Sequence, residues 1–336
     1  MTQLYFSRAP VRVCDIGGWT DTWFCNSGAV FNYCVDLYSY IRIQPKTHEK
    51  IIRIISENLD LSTTIKEYRA IEYDGTLDLL KAAVKILGIE LGMDIFARSD
   101  APPGCGTGTS ASIVVSLLGA LSSMQHAYHV KHEIAEMAHE LETRELDLES
   151  GVQDQYAASF GGFNYMEIQY PRVKISQIDV QPHFAWQLEQ QMILVYLGSR
   201  SSSKIHEAVI KNFNAGDKTI LEAFEILKEC PREAVHSIHT NNLDQFGEIM
   251  NKNWNAQKQL HPEVTNDRIV ELERIAMTHD ALGFKVNGAG GGGSAVILSR
   301  IGEEYKLKSD ILAHGFKLLP CKLNFSGLQT WTAPSH

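Results

Sequence analysis

The chain has 336 residues, 44% of them apolar and 21% charged, which suits a globular protein with room for two domains. A formal net charge of −9 argues against nucleic acid or an anionic membrane as partner, so an anionic substrate would have to meet local positive groups. Six scattered cysteines form no C-x-x-C pair and no zinc-type cluster with histidine, as expected of a reduced cytoplasmic protein; residues 1–8 lack the features of a signal peptide, and the longest apolar stretch, 113–121, is too short for a bilayer.

Residues 1–70 read mostly as β, with strands expected at Val11 and Val13, 29–37, 41–43 and 51–55. A helical period covers 76–92, and 94–98 reads as a strand leading into a Pro-Pro-Gly loop. Residues 110–126 read as a buried helix. The pattern KHEIAEMAHELETR (131–144) predicts an amphipathic helix with Ile134, Met137, Ala138 and Leu141 inward. A strand follows the glycines at 161–168. The mixed, polar segment 170–184 contains Pro171 and Pro182, and a domain boundary there divides 1–180 from 181–336. Residues 192–197 read as a buried strand. Helical patterns then cover 203–213, 217–228, 232–239, 243–258 and 264–279, before FKVN (284–287), a glycine run and the strand SAVIL (294–298). The order is α+β, not a regular βαβ alternation.

Two glycine-rich stretches stand out, PPGCGTGTS (102–110) and NGAGGGG (287–293). The first runs into the helix at 110, and a glycine loop at a helix start offers free N–H groups and a favourable dipole to a phosphate. Plain turn chemistry is the alternative reading for the first loop, and a weaker one for the denser second run. Neither loop is followed by the Gly-Lys of a Walker A sequence. GCGTGT has threonine where a dinucleotide fingerprint needs its third glycine, and no H-R-D or D-F-G motif is present. The thirteen histidines form no metal pattern. Between the loops lies GVQDQ (151–155), an acid flanked by amides. Phosphate-type loops plus that acid suggest phosphoryl transfer.

Four blocks in order, APVRVCDIGGWTD (9–21), PPGCGTGTSAS (102–112), DQYAASFGGFNY (154–165) and KVNGAGGGG (285–293), resemble the GHMP kinases. QDQYAASFGGFNYME (153–167) is most similar to the D-glycero-D-manno-heptose 7-phosphate kinase branch. Three positions depart from the usual patterns: Trp19 replaces a glycine and resembles the L-fucokinase version, Thr107 replaces a leucine, and Ala111 replaces a frequent serine. The resemblance implies a two-domain α+β fold: a ribosomal-protein-S5-like N-terminal domain, a ferredoxin-like C-terminal α/β sandwich, and an active site in the cleft between them. It implies ATP and Mg²⁺ as cofactors and a sugar or sugar phosphate as substrate, and leaves a homodimer open.

By the same resemblance, Asp154 is the candidate catalytic carboxylate, taking the proton of a sugar hydroxyl, with Arg12 stabilising charge beside it. Gln153 and Gln155 would hold the sugar or the acid. Asp21, in its block with Gly18, would accept sugar hydroxyls; a turn acid is the other reading. Trp19 would stack on the sugar or belong to the core. Pro103, Gly104, Cys105, Gly106, Thr107, Gly108, Thr109 and Ser110 would form the triphosphate cradle. Ser110 and Glu142 are the candidate Mg²⁺ contacts. Gly290 and Gly291, from the second run, would close against substrate. Arg200 and Lys204 would meet a second phosphate or, as the alternative, simply start a solvated helix. A kinase for a free sugar such as L-fucose or galactose, and a non-catalytic sugar- and ATP-binding regulator, are the rival functions.

Overall fold

The computed structural model describes residues 3–46, 48–199 and 203–334. Its first sheet is built on two long antiparallel strands, β1 (Gln3–Ile16) and β2 (Ser27–Pro45). Their register shifts between Pro10 and Val11, where proline has no N–H to give the ladder. β3 (Ile52–Ser56) pairs antiparallel with β4 (Leu61–Ile65) and parallel with β5 (Met93–Ser99), which lies beside β2. α1 (Asp78–Ile86), α2 (Thr109–Met124) and α3 (Lys131–Glu140) cover one face. Val114, Leu117, Leu118 and Leu121 of α2 bury against Ile41, Ile43 and Ile95, so that helix is apolar on nearly every side. α4 (Gln153–Phe160) leads to the hairpin of β6 (Phe163–Gln169) and β7 (Arg172–Gln177), which joins the sheet through β2.

The rest of the chain runs α5 (Pro182–Gln191), β8 (Met192–Gly198), α6 (Ser203–Asn214), α7 (Lys218–His239), α8 (Leu243–Lys258), α9 (Asp267–Thr278), β9 (Gly283–Val286), β10 (Gly293–Leu298), α10 (Glu304–Ala313), β11 (Lys317–Leu319) and β12 (Gln329–Pro334). Asp217, Asn242 and Asn266 cap α7, α8 and α9 through side-chain oxygens that accept a backbone N–H of the first turn. A second, antiparallel sheet has the order β11-β8-β10-β9, and Val195, Phe284 and Ile297 pack there under Phe224, Trp254 and Leu272. A third apolar cluster, with Phe31, Tyr33, Phe184 and Phe246, fills the space between the sheets.

Three elements differ from the sequence expectation. α7 is one helix with Pro231 inside it, not two helices. The proline ring is buried and packs where a side chain at Gly17 would sit, a tertiary contact that offsets the lost helical hydrogen bond. The helix expected over 131–144 ends at Glu140 and continues as a π-helical turn, Leu141–Glu145. The polar segment after residue 170 folds as β7 and the start of α5. At the chain's end β12 pairs with β1, so the first sheet draws on both termini, and a division at 180/181 does not follow the sheets there. We keep that boundary as a proposal for the remaining elements.

Candidate active site

Polar side chains tie β1 and the turn after it to α8, β9 and the residue after β9. The Gly17 N–H donates to Asn253 Oδ1 (2.7 Å), and the Cys14 N–H donates to Asn287 Oδ1 (2.8 Å). The buried Lys285 ammonium reaches Asp15 Oδ1 at 3.1 Å. A cavity of about 290 Å³ opens beside this seam, lined among others by Arg12, Asp21, Ser110, Glu142, Gln153 and Asp154.

The first glycine loop delivers a helix start to this cavity. Gly108 is the N-cap of α2 at φ +73°, with no side-chain cap. The first bond into the helix runs from the Ser112 N–H to the Gly108 carbonyl (2.9 Å), leaving the N–H groups of Thr109, Ser110 and Ala111 without helical partners. A Cβ at position 108 would stand 2.9 Å from the Asp154 carboxyl carbon, so the absent side chain is what lets the helix end approach the acid. Arg12 joins them. Its Nε donates to Asp154 Oδ1 (2.8 Å), its Nη1 donates to the Gly106 carbonyl, and its backbone N–H donates to the Thr107 carbonyl (3.1 Å). Burial pulls the guanidinium pKa down, but Asp154 and Asp15 push it further up, so its charge is permanent.

Asp21 and Glu142 are buried carboxyls on the same cavity. Asp21 accepts the Gln153 backbone N–H (3.2 Å) and its side-chain amide (3.4 Å). Burial and the nearby Asp154 raise its pKa to about 6. Glu142, on the π-helical turn, accepts Ser150 Oγ (2.6 Å) and Gln155 Nε2 (2.9 Å) at Oε2, while its buried Oε1 has no partner. Burial lifts it to about 7. An unsatisfied carboxylate oxygen in an acid-rich cavity that Ser110 also lines fits a hard cation, and Mg²⁺ takes few protein oxygens alongside phosphate and water. Among the described residues no three His, Cys, Asp or Glu side chains cluster as a metal cage.

Of the remaining expected site residues among those described, Trp19 lines the cavity and the others do not. Gln155 is fully buried and holds Glu142, not a substrate or Asp154. Gly290 and Gly291 back onto Val264 and Glu263; the second run reaches the cavity through Gly288 and Ala289. Cys105 is buried, with its carbonyl accepting Ser294 Oγ (2.8 Å), and the Pro103 carbonyl accepts Tyr196 OH (3.4 Å). Thr107 is buried beside Thr109 Oγ1, and Gly104 lies against Ser199. Gly18 packs on Asp15 in a tight turn. Trp19 is 7% exposed: it belongs to the core, meets His206 edge-on at 4.8 Å and still lines the cavity, with its buried Nε1 unpartnered. Arg200 and the Lys204 side chain lie outside the described residues.

The residues that sequence reasoning missed are Asp15 and Lys285. Asp15 accepts the Gly288 N–H at 3.1 Å on both oxygens, and Lys285 also reaches Gln257 Oε1 at 3.2 Å. The only local signal was a lysine inside an apolar strand, FKV. Trp23, Phe24 and Glu149 of the cavity wall were also unmarked.

A glycine-capped helix end, an adjoining acid and a buried arginine thus meet at one cavity. The family described as GHMP kinases N terminal domain matches residues 75–162, and GHMP kinases C terminal matches residues 233–314. The chain belongs to the GHMP kinase family, and its α+β architecture is the two-domain fold of that family. Among relatives, the D-glycero-alpha-D-manno-heptose 7-phosphate kinase of Campylobacter jejuni is 29% identical over 300 residues, covering 85% of this chain and 87% of its own. The bifunctional fucokinase/GDP-fucose pyrophosphorylase of Arabidopsis thaliana is 25% identical over 88% of this chain, which spans 30% of that longer protein. The solved D-glycero-D-manno-heptose 1-phosphate kinase from Bacteriodes thetaiotaomicron superposes with a TM-score of 0.81 at 23% identity, over 98% of this chain and 100% of its own. The likeness in structure is one of fold.

Proposed function

We propose that the protein is an ATP-dependent sugar kinase that phosphorylates the anomeric hydroxyl of a heptose 7-phosphate, a step toward nucleotide-activated heptose. The observation that carries this is the meeting of the Asp154 carboxylate, the Arg12 guanidinium and the uncapped start of α2 at one cavity. The relative in Campylobacter jejuni supports the choice of sugar. A sugar hydroxyl seated against Asp21 and Gln153 would face Asp154, which takes its proton as the phosphoryl group arrives. Arg12 offsets the charge building on the transferring oxygens, and the N–H groups of Thr109, Ser110 and Ala111 hold phosphate oxygens. Ser110 and Glu142 would hold Mg²⁺, which neutralises triphosphate charge when bound. The residues' work is positioning and fixed charge.

A second reading has its own support. Asp15, Asp21, Glu142, Glu149 and Asp154 line the cavity, and the one described cation there, Arg12, is already paired with Asp154. That lining favours an uncharged sugar, and the fucokinase relative fits it. The test is ADP release from ATP with phosphorylated and free hexoses and heptoses, the product's position being read by NMR. A 1-phosphate formed from heptose 7-phosphate supports the first reading, and turnover of free sugars alone replaces it with the second. Binding of sugar and ATP without ADP release would leave a regulator.

A further inference from the structure

A second depression, a groove of about 580 Å³, lies outside the cavity between the β6–β7 hairpin and α7. Arg172 and Lys174 stand two apart on β7 and so share a face; Lys228 and Arg232 stand four apart on α7 and share another. The two elements therefore aim four cations into one groove on a chain of net charge −9. Glu167 is the acid in the lining, and it pairs with Lys174 at 3.0 Å; Lys228 pairs with Glu225 at 2.9 Å. The guanidinium groups of Arg172 and Arg232 have no hydrogen-bond or ion-pair partner among the described residues. Two unpaired guanidinium forks on opposite walls form a bidentate recognition set for phosphate oxygens.

We propose that this groove is a second anion site, for a phosphorylated small molecule, whose occupancy alters acceptor binding in the cavity. The floor of the groove carries the route. Gly28 and Ala29 of β2 line it, and Thr20, next to Asp21, bonds Ala29 twice: Oγ1 donates to the Ala29 carbonyl (2.9 Å) and accepts its N–H (3.2 Å). Pro231, adjacent to Arg232, and the Ala29 carbonyl together close the space around Gly17. A ligand drawing α7 toward β7 would press on the segment that presents Asp21, because close-packed contacts leave no slack.

The test uses the whole protein and inorganic pyrophosphate as probe. Calorimetric titration of the wild type is expected to show two binding events, one at the α2 loop and one at the groove. Arg172→Ala/Arg232→Ala should lose one event, weakened at least ~10-fold, and keep the other. Both arginines are exposed, and circular dichroism of the variant checks its fold. An identical isotherm for the two proteins overturns the site. The second arm rests on the kinase reading: at saturating ATP, pyrophosphate should change the acceptor KM of the wild type severalfold and leave that of the variant unchanged. Equal effects on both overturn the transmission. The calorimetric arm needs no turnover, so it fails independently of the kinase reading.

Discussion

Glu142 shows how much one buried carboxyl can set. Its folded pKa, about 7, lies above its ordinary value because burial disfavours the charged form. Protonated Glu142 favours the fold, so its contribution is complete below the ordinary glutamate range and is lost as pH rises through about 7. Asp21, raised to about 6, acts in the same direction. In the absence of ligands, the Tm of the wild type should therefore fall relative to Glu142→Gln as pH rises from about 5 to about 8. Magnesium affinity should move the opposite way. It should strengthen through pH 7 as Glu142 ionises, and it should be weak and flat with pH in Glu142→Gln. A wild type and variant with parallel profiles in both measurements would remove Glu142 from this role.

At the scale of elements, the start of α2 is the feature most exposed to test. Alanine at Gly108 meets φ +73° and places its Cβ against the Asp154 carboxyl. Gly108→Ala should cost ~1–2 kcal/mol in stability and about 100-fold in kcat, since the helix end must withdraw. Gly302→Ala, at φ +86° but in open space, should show a similar stability loss with unchanged kcat. This loop was legible in the sequence because glycine spacing and a helical apolar period are both local signals. α8 was legible from its helical apolar period, and the structure adds Asn242 as its cap. Pro231 misled because the local rule against proline yields to packing at Gly17. β7 was unread because its alternation is short, with only Val173 and Ile175 apolar, and no pattern announced that β12 would return to β1.

Across the whole molecule, the two sheets are joined at the site by groups far apart in the chain. Asp15 and Lys285 are separated by 270 residues, so no sequence window contains both. Lys285→Met would leave the buried Asp15 with the Gly288 N–H and the longer 4.0 Å contact to Arg12 as partners, and urea unfolding should show a loss of ~3–5 kcal/mol. An unchanged midpoint would mean that the ion pair contributes nothing to the join. The separation also explains how the site was partly legible: Arg12, Asp154 and the glycine loop lie in recognisable blocks, and so do Asp15 and Lys285, but nothing local to either block shows that those two side chains pair. The most direct measurement is the turnover and nucleotide affinity of Asp154→Asn. If the acid beside Gly108 takes the acceptor proton, kcat should fall by ~10²–10⁴-fold while ATP affinity stays within a few fold of the wild type. Near-normal turnover in that variant would contradict it.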